Sequence, residues 1–67
     1  MIAVSVNGQR STIESGTTLS GLLDSLKIDP RTVAVEINLD IIDKREFISR
    51  NLVEGDEIEI VRFVGGG

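Results

Sequence analysis

Ile2-Ala3-Val4-Ser5-Val6-Asn7-Gly8-Gln9-Arg10-Ser11-Thr12-Ile13 decides how the rest of the chain can fold. Ile2, Val4 and Val6 alternate with Ala3 and Ser5, the period-two pattern of a strand with one buried face. Asn7-Gly8 follows at once and tolerates the positive φ angles of a two-residue hairpin turn. Residues 9–14 are therefore predicted to return antiparallel, with Ser11 and Ile13 on the inner side.

Beyond the hairpin, Ser15-Gly16-Thr17 signals a turn, and Thr18 stands where its hydroxyl can cap free amides at a helix start. Leu19, Leu22, Leu23 and Leu26 then recur at helical spacing and predict one helix over residues 19–27. Gly21 inside it implies either a close approach of the sheet or a tolerated loss of about 1 kcal/mol against alanine. Asp29-Pro30 is expected to stop the helix, because proline lacks the amide hydrogen and biases its predecessor away from helical angles.

Val33, Val35 and Ile37 alternate with Ala34 and Glu36 in a third strand, and residues 38–40 turn into a short strand at Ile41-Ile42. Residues 44–51 are polar apart from Phe47 and Ile48, and predict a loop or single helical turn that tucks both side chains under the core. Glu54-Gly55-Asp56 turns the chain again. Glu57, Glu59 and Val61 then alternate with Ile58 and Ile60 in a last strand reaching about Phe63.

Strand, strand, helix, strand, short strand, strand is the β-grasp order. The expected fold is α+β and ubiquitin-like: a mixed sheet of about four to five strands, with one main helix packed on one face. The last strand should lie parallel to the first at the centre of the sheet. Residues 1–64 are expected to form this domain and residues 65–67 a flexible glycine tail.

Composition narrows the chemistry. At 67 residues the chain supports one core, built from aliphatic side chains because only 3% of residues are aromatic. With no cysteine and no histidine, disulfides, thiolate sites and the commonest acid–base catalyst are missing, so no catalytic or metal-ligating side chain is expected and the chain does not read as an enzyme. A net charge of −4, from 11 acidic and seven basic residues, disfavours nucleic acid and suits a partner with a basic docking face. No apolar run approaches the roughly 20 residues that cross a bilayer, and no charged leader precedes an apolar segment; a protein of the cytoplasm, away from membranes, is expected.

The sequence ends Phe63-Val64-Gly65-Gly66-Gly67. Glycines after a strand make a thin segment able to enter a narrow channel, and the four residues from Val64 span on the order of 13 Å when extended. The terminal carboxyl, with an ordinary pKa of about 3.3 to 3.7, is ionised near neutrality and can attack the α-phosphate of ATP. The acyl adenylate so formed has a good leaving group, and an incoming sulfur can displace AMP to leave a thiocarboxylate. Gly67 is thus the candidate modified position.

Over its whole length the chain resembles the ThiS family of sulfur carriers. The resemblance is carried by Asn7-Gly8, Gly16-Thr17-Thr18-Leu19 with Leu22-Leu23, Val33-Ala34-Val35-Glu36-Ile37-Asn38, Asp43-Lys44-Arg45-Glu46-Phe47, Glu54-Gly55-Asp56-Glu57-Ile58-Glu59-Ile60 and Phe63-Val64-Gly65-Gly66-Gly67. It implies a ThiF-like adenylating enzyme that uses ATP and magnesium to activate Gly67, with Gly66 and Gly65 as the slim segment fitted to its channel. It also implies a persulfide donor, either a cysteine desulfurase or a sulfurtransferase, and delivery of the sulfur to thiazole synthase in thiamine thiazole biosynthesis. No cofactor is held permanently by the carrier. The molybdopterin-synthase small subunit (MoaD-like) and ubiquitin-like modifiers share the fold and tail and are the alternatives.

If Ile58 and Ile60 face the helix, Val61 and Phe63 fall on the open face of the sheet with Ala3, Ser5, Ala34 and Glu36. Phe63, Val61, Arg62, Val64 and Ala34 are the candidate docking residues, with Phe63 as the anchor. A twist or bulge would instead turn Phe63 into the core. Arg62 reads either as an ion-pairing contact or as a solvated charge. Glu57 and Glu59 read as a solvated strand face, and Asp40, Asp43 and Glu46 as surface charge whose spacing fits no calcium loop.

Overall fold

The computed structural model describes residues 1–63. Five strands form one sheet in the order β2-β1-β5-β3-β4: β1 (Ile2–Val6), β2 (Gln9–Ile13), β3 (Val33–Ile37), β4 (Asp40–Ile41) and β5 (Glu57–Arg62). A single α-helix, α1 (Leu19–Ser25), covers one face. β5 lies at the centre, parallel to β1 and antiparallel to β3. This is the β-grasp arrangement that the element order predicts.

The first hairpin has the predicted register, with Val6 opposite Gln9, Val4 opposite Ser11 and Ile2 opposite Ile13. Asn7 at φ 48° and Gly8 at φ 83° make the turn, which matches the right-handed twist of the strands. Asn38 (φ 53°) and Leu39 (φ 72°) repeat that geometry between β3 and β4. Val4, Leu19, Leu22, Leu23, Val33, Val35, Ile37, Ile42, Phe47, Leu52 and Ile58 are buried between helix and sheet.

Thr18 caps the helix as predicted, its Oγ1 accepting the N–H of Gly21 at 3.1 Å. A Cβ on Gly21 would meet only Thr18 Oγ1 at 3.4 Å and the Thr17 methyl at 3.6 Å, so no sheet approach demands the glycine. The helix tolerates it.

Four expectations need correction. The helix ends at Ser25, two residues early, and proline does not end it. Lys27 adopts φ 59°, its N–H donates to the Asp24 carbonyl at 3.0 Å, and the Ile28 N–H donates to the Leu23 carbonyl at 2.9 Å. This paired closure is a Schellman motif, which satisfies the last helical carbonyls. Second, it folds Ile28 back onto the core and leaves Leu26, expected inside, 46% exposed. Third, Phe47 is buried but Ile48 is 77% exposed. The 3₁₀ turn Lys44–Glu46 leads into them, and neighbouring side chains on a helical turn cannot both point inward. Leu52 fills the space instead.

The short strand is likewise displaced by one residue, with Asp40 and Ile41 pairing to Ile37 and Glu36 while Ile42 turns inward.

Candidate functional site

β5 is held on both sides, which fixes the place of Phe63 at its end. On one side the amides of Ser5 and Asn7 donate to the carbonyls of Asp56 and Ile58 at 2.9 and 2.8 Å. On the other, β3 pairs along the strand from Ile37 with Ile58 to Val33 with Arg62. The Phe63 N–H then donates to the Thr32 carbonyl at 2.9 Å, extending the ladder one step past the strand.

Strict alternation sets the faces. Ile58 is buried and Ile60 packs against the core, so Val61 and Phe63 fall on the open face, 56% and 58% exposed. Val61 lies directly opposite Ala34, and Glu59 opposite Glu36. Ala3 and Ser5 share that face, half-buried. Phe63 therefore stands outside the core. Arg62, opposite the buried Val33, projects to the helix side, beside Leu26, Ile28 and Ile60. The structure thus gathers Val61, Phe63 and Ala34 and separates Arg62 from them. Val64, Gly65, Gly66 and Gly67 lie outside the described residues.

Sequence reasoning missed Lys44. Its Nζ donates to the carbonyls of Pro30 at 2.9 Å and Val33 at 3.1 Å and sits 5.1 Å from the centre of the Phe63 ring. The residue reads as one charge in a polar loop, and no local spacing could bring it to the end of β5.

Among the described residues, two ion pairs repeat one design. Asp29 accepts the backbone N–H of Arg31 and is clasped by its guanidinium at 2.8 Å; Asp43 does the same with Arg45 at 3.1 Å. These side-chain hydrogen bonds, reinforced by the backbone N–H, hold the Asp29 carboxyl down to about 2 and the Asp43 carboxyl below its ordinary value. Each carboxylate thereby starts a 3₁₀ turn and neutralises its own arginine. Glu57 and Glu59 are exposed, and no group of three or more acidic side chains among the described residues is placed to hold a metal. Nor is any described helix long and apolar enough to cross a membrane.

Residues 4–67 match the sequence model of the ThiS family. The chain belongs to the ThiS family. The sulfur carrier protein ThiS of Bacillus subtilis is 44% identical over 50 residues, covering 75% of this chain and 76% of that protein. Two proteins named thiazole synthase are also similar. The one from Paramagnetospirillum magneticum is 40% identical over 92% of this chain and 19% of its own length, and the one from Magnetococcus marinus is 42% identical over 96% and 20%. The chain thus spans about a fifth of the length of these two relatives. The crystal structure of the thiamine biosynthesis protein ThiS from Geobacter metallireducens superposes with a TM-score of 0.85 at 30% identity, covering 98% of this chain and all of that one. ThiS membership and the β-grasp sheet therefore agree.

Proposed function

We propose that this ThiS-family chain carries sulfur as a thiocarboxylate on Gly67 and delivers it to thiazole synthase in thiamine thiazole biosynthesis. The observation that supports it most is the exposed Phe63 at the end of the central strand β5, with Val64-Gly65-Gly66-Gly67 next in sequence. A body of residues 1–64 would then present residues 65–67 as a slim lead.

A ThiF-like adenylating enzyme binds ATP and magnesium. The Gly67 carboxylate attacks the α-phosphate, releases pyrophosphate and becomes an acyl adenylate. The outer sulfur of a persulfide, on a cysteine desulfurase or sulfurtransferase, displaces AMP and gives an acyl disulfide. A thiol then attacks the sulfur of that bond that belongs to the donor, forming a disulfide and releasing the thiocarboxylate. None of these steps draws on a side chain of this protein, which acts in the cytoplasm as a carrier and substrate rather than an enzyme. Val61, Ala34 and Phe63 form the docking face, with Val64 as a further contact and Arg62 contacting the partner from the opposite side.

Thiazole synthase is favoured as acceptor because sequence similar to this chain occurs in proteins of that name. The test is incubation with the adenylating enzyme, ATP, magnesium and a persulfide donor, followed by intact-mass measurement. The expected product is heavier by the difference between one sulfur and one oxygen atom. Conjugates through lysine, as a ubiquitin-like modifier would give, or preferential transfer to molybdopterin precursor would overturn the assignment.

A further inference from the structure

Three segments far apart in sequence meet at one ammonium group. Lys44 is the first residue of the 3₁₀ turn Lys44–Glu46, and its Nζ reaches the carbonyls of Pro30 and Val33, which flank the start of β3. The same Nζ lies 5.1 Å from the Phe63 ring centre. Two of its three N–H groups are taken by carbonyls, and the charge still faces the negative side of the aromatic ring.

An exposed lysine usually ranges over many rotamers, and holding it in one costs side-chain entropy. The Val33 carbonyl it reaches is part-buried, but the Pro30 carbonyl lies at the surface where water can serve it, so stability returns only part of that cost. What the arrangement does accomplish is to clamp Phe63. The main chain of that residue is tied to Thr32, which is itself fixed by bonds from its N–H and hydroxyl to the Asp29 carbonyl at 3.0 and 2.7 Å. Its ring is tied to Lys44. Backbone and ring of Phe63 are thus both held.

We propose that Lys44 is a positioning residue: by holding the Phe63 ring against the start of β3, it presents that ring in one orientation to the adenylating enzyme, a role that presupposes the activation of Gly67 proposed above. A ring already held in one orientation loses less freedom on docking than one that samples many rotamers.

The test measures pyrophosphate release by a ThiF-like enzyme with magnesium–ATP as a function of carrier concentration, for wild type, K44M, K44R, F63L and K44M/F63L. Circular dichroism confirms that each variant is folded. K44M should raise KM about fivefold and leave kcat within about twofold, since a seated Gly67 is unchanged. K44R should return to within about twofold of wild type, because a guanidinium can also donate to carbonyls and stack on the ring. In the F63L background, K44M should shift KM less than about twofold, the mark of an effect that passes through Phe63. No shift in K44M, or an equal shift in both backgrounds, overturns the assignment, the second because Lys44 would then meet the partner directly. If wild-type carrier is not adenylated at all, the Gly67 chemistry fails instead. Backbone ¹⁵N relaxation at Phe63 then decides: greater mobility in K44M supports the clamp, and equal mobility removes it.

Discussion

The side-chain amide of Asn7 pairs with the main chain of Ile60 as a neighbouring strand would: Oδ1 accepts the Ile60 N–H at 2.7 Å, and Nδ2 donates to the Ile60 carbonyl at 3.3 Å. β1 stops at Val6, opposite Ile58, so β5 runs on without a strand beside it on that side. Asn7 supplies one more rung and protects an edge that would otherwise be open.

Asn7 therefore serves two purposes, since it also adopts φ 48° in the hairpin turn. Substituting glycine keeps the turn and removes the amide, and should cost about 1 kcal/mol for the lost pairing. Alanine adds the strain of a left-handed backbone, about 1 kcal/mol more. Urea denaturation midpoints should fall in the order wild type, Asn7→Gly, Asn7→Ala. Equal midpoints for wild type and Asn7→Gly would show that the rung contributes nothing.

Gly21 offers the opposite case. Its neighbours leave ordinary contact distances for a Cβ, and its position carries no unusual φ. Gly21→Ala should stabilise by about 0.5 kcal/mol through helix propensity. For a domain this small the melting temperature should rise by about 2 to 4 °C. A lower melting temperature would mean that the added methyl disturbs the Thr18 cap.

These two residues also show what the sequence could and could not disclose. Alternation in β1, β3 and β5 and the Asn7-Gly8 turn are local patterns, so the strands, their faces and the order that makes a β-grasp follow from neighbours a few positions apart. The Asn7–Ile60 pairing spans 53 residues and the Lys44–Pro30 bond 14, and no local period encodes either. The helix end is hidden from a local reading for a related reason. A left-handed Lys27 carries none of the usual glycine signal, whereas Asp29-Pro30 carries a strong one two residues later. Asp56 reads as a turn residue, yet it is buried and accepts from the Val53 N–H at 2.9 Å and Asn38 Nδ2 at 3.0 Å. Its burial depends on the β3–β4 turn arriving beside it, which is a tertiary event.

The arginine-clasped aspartates predict a response to acid. Asp29 is held at about 2, against an ordinary 3.8, chiefly by the Arg31 side chain and then by its backbone N–H. Because the folded-state value is depressed, the stabilisation is present above the ordinary value and is lost as the pH falls through the folded one. The Asp43 clasp acts in the same direction. Melting temperatures should therefore decline between pH 3.8 and about 2. Arg31→Gln should move the Asp29 titration back toward 3.8, as followed by its carboxyl ¹³C shift. An unchanged titration in that variant would show that the arginine is not the cause.

Phe63 is exposed and belongs to the open face with Val61 and Ala34. Phe63→Ala should thus weaken binding to the adenylating enzyme by about tenfold, as interface aromatics do, and lower stability by less than about 1 kcal/mol. Titration calorimetry and thermal melts measure the two separately. A large loss of stability with unchanged affinity would make the ring a structural element only.

Gly66 and Gly16 separate the two uses of glycine in this chain. Gly16 turns the chain at φ 89°, where a side chain is strained whatever space surrounds it. Gly16→Ala should lower the melting temperature while leaving adenylation kinetics near wild type once the protein is folded. Gly66→Ala should do the reverse. In the activation proposed for Gly67, a methyl group one residue from the carboxylate would hold it away from the ATP α-phosphate if the partner's channel is fitted to bare backbone, and a displacement of about 1 Å can cost on the order of 100-fold in rate. The measurement is kcat/KM for pyrophosphate release beside a thermal melt of the same sample. Near-normal kinetics in Gly66→Ala would mean that the partner's channel has room for side chains, and the slimness of residues 65–67 would then need another explanation.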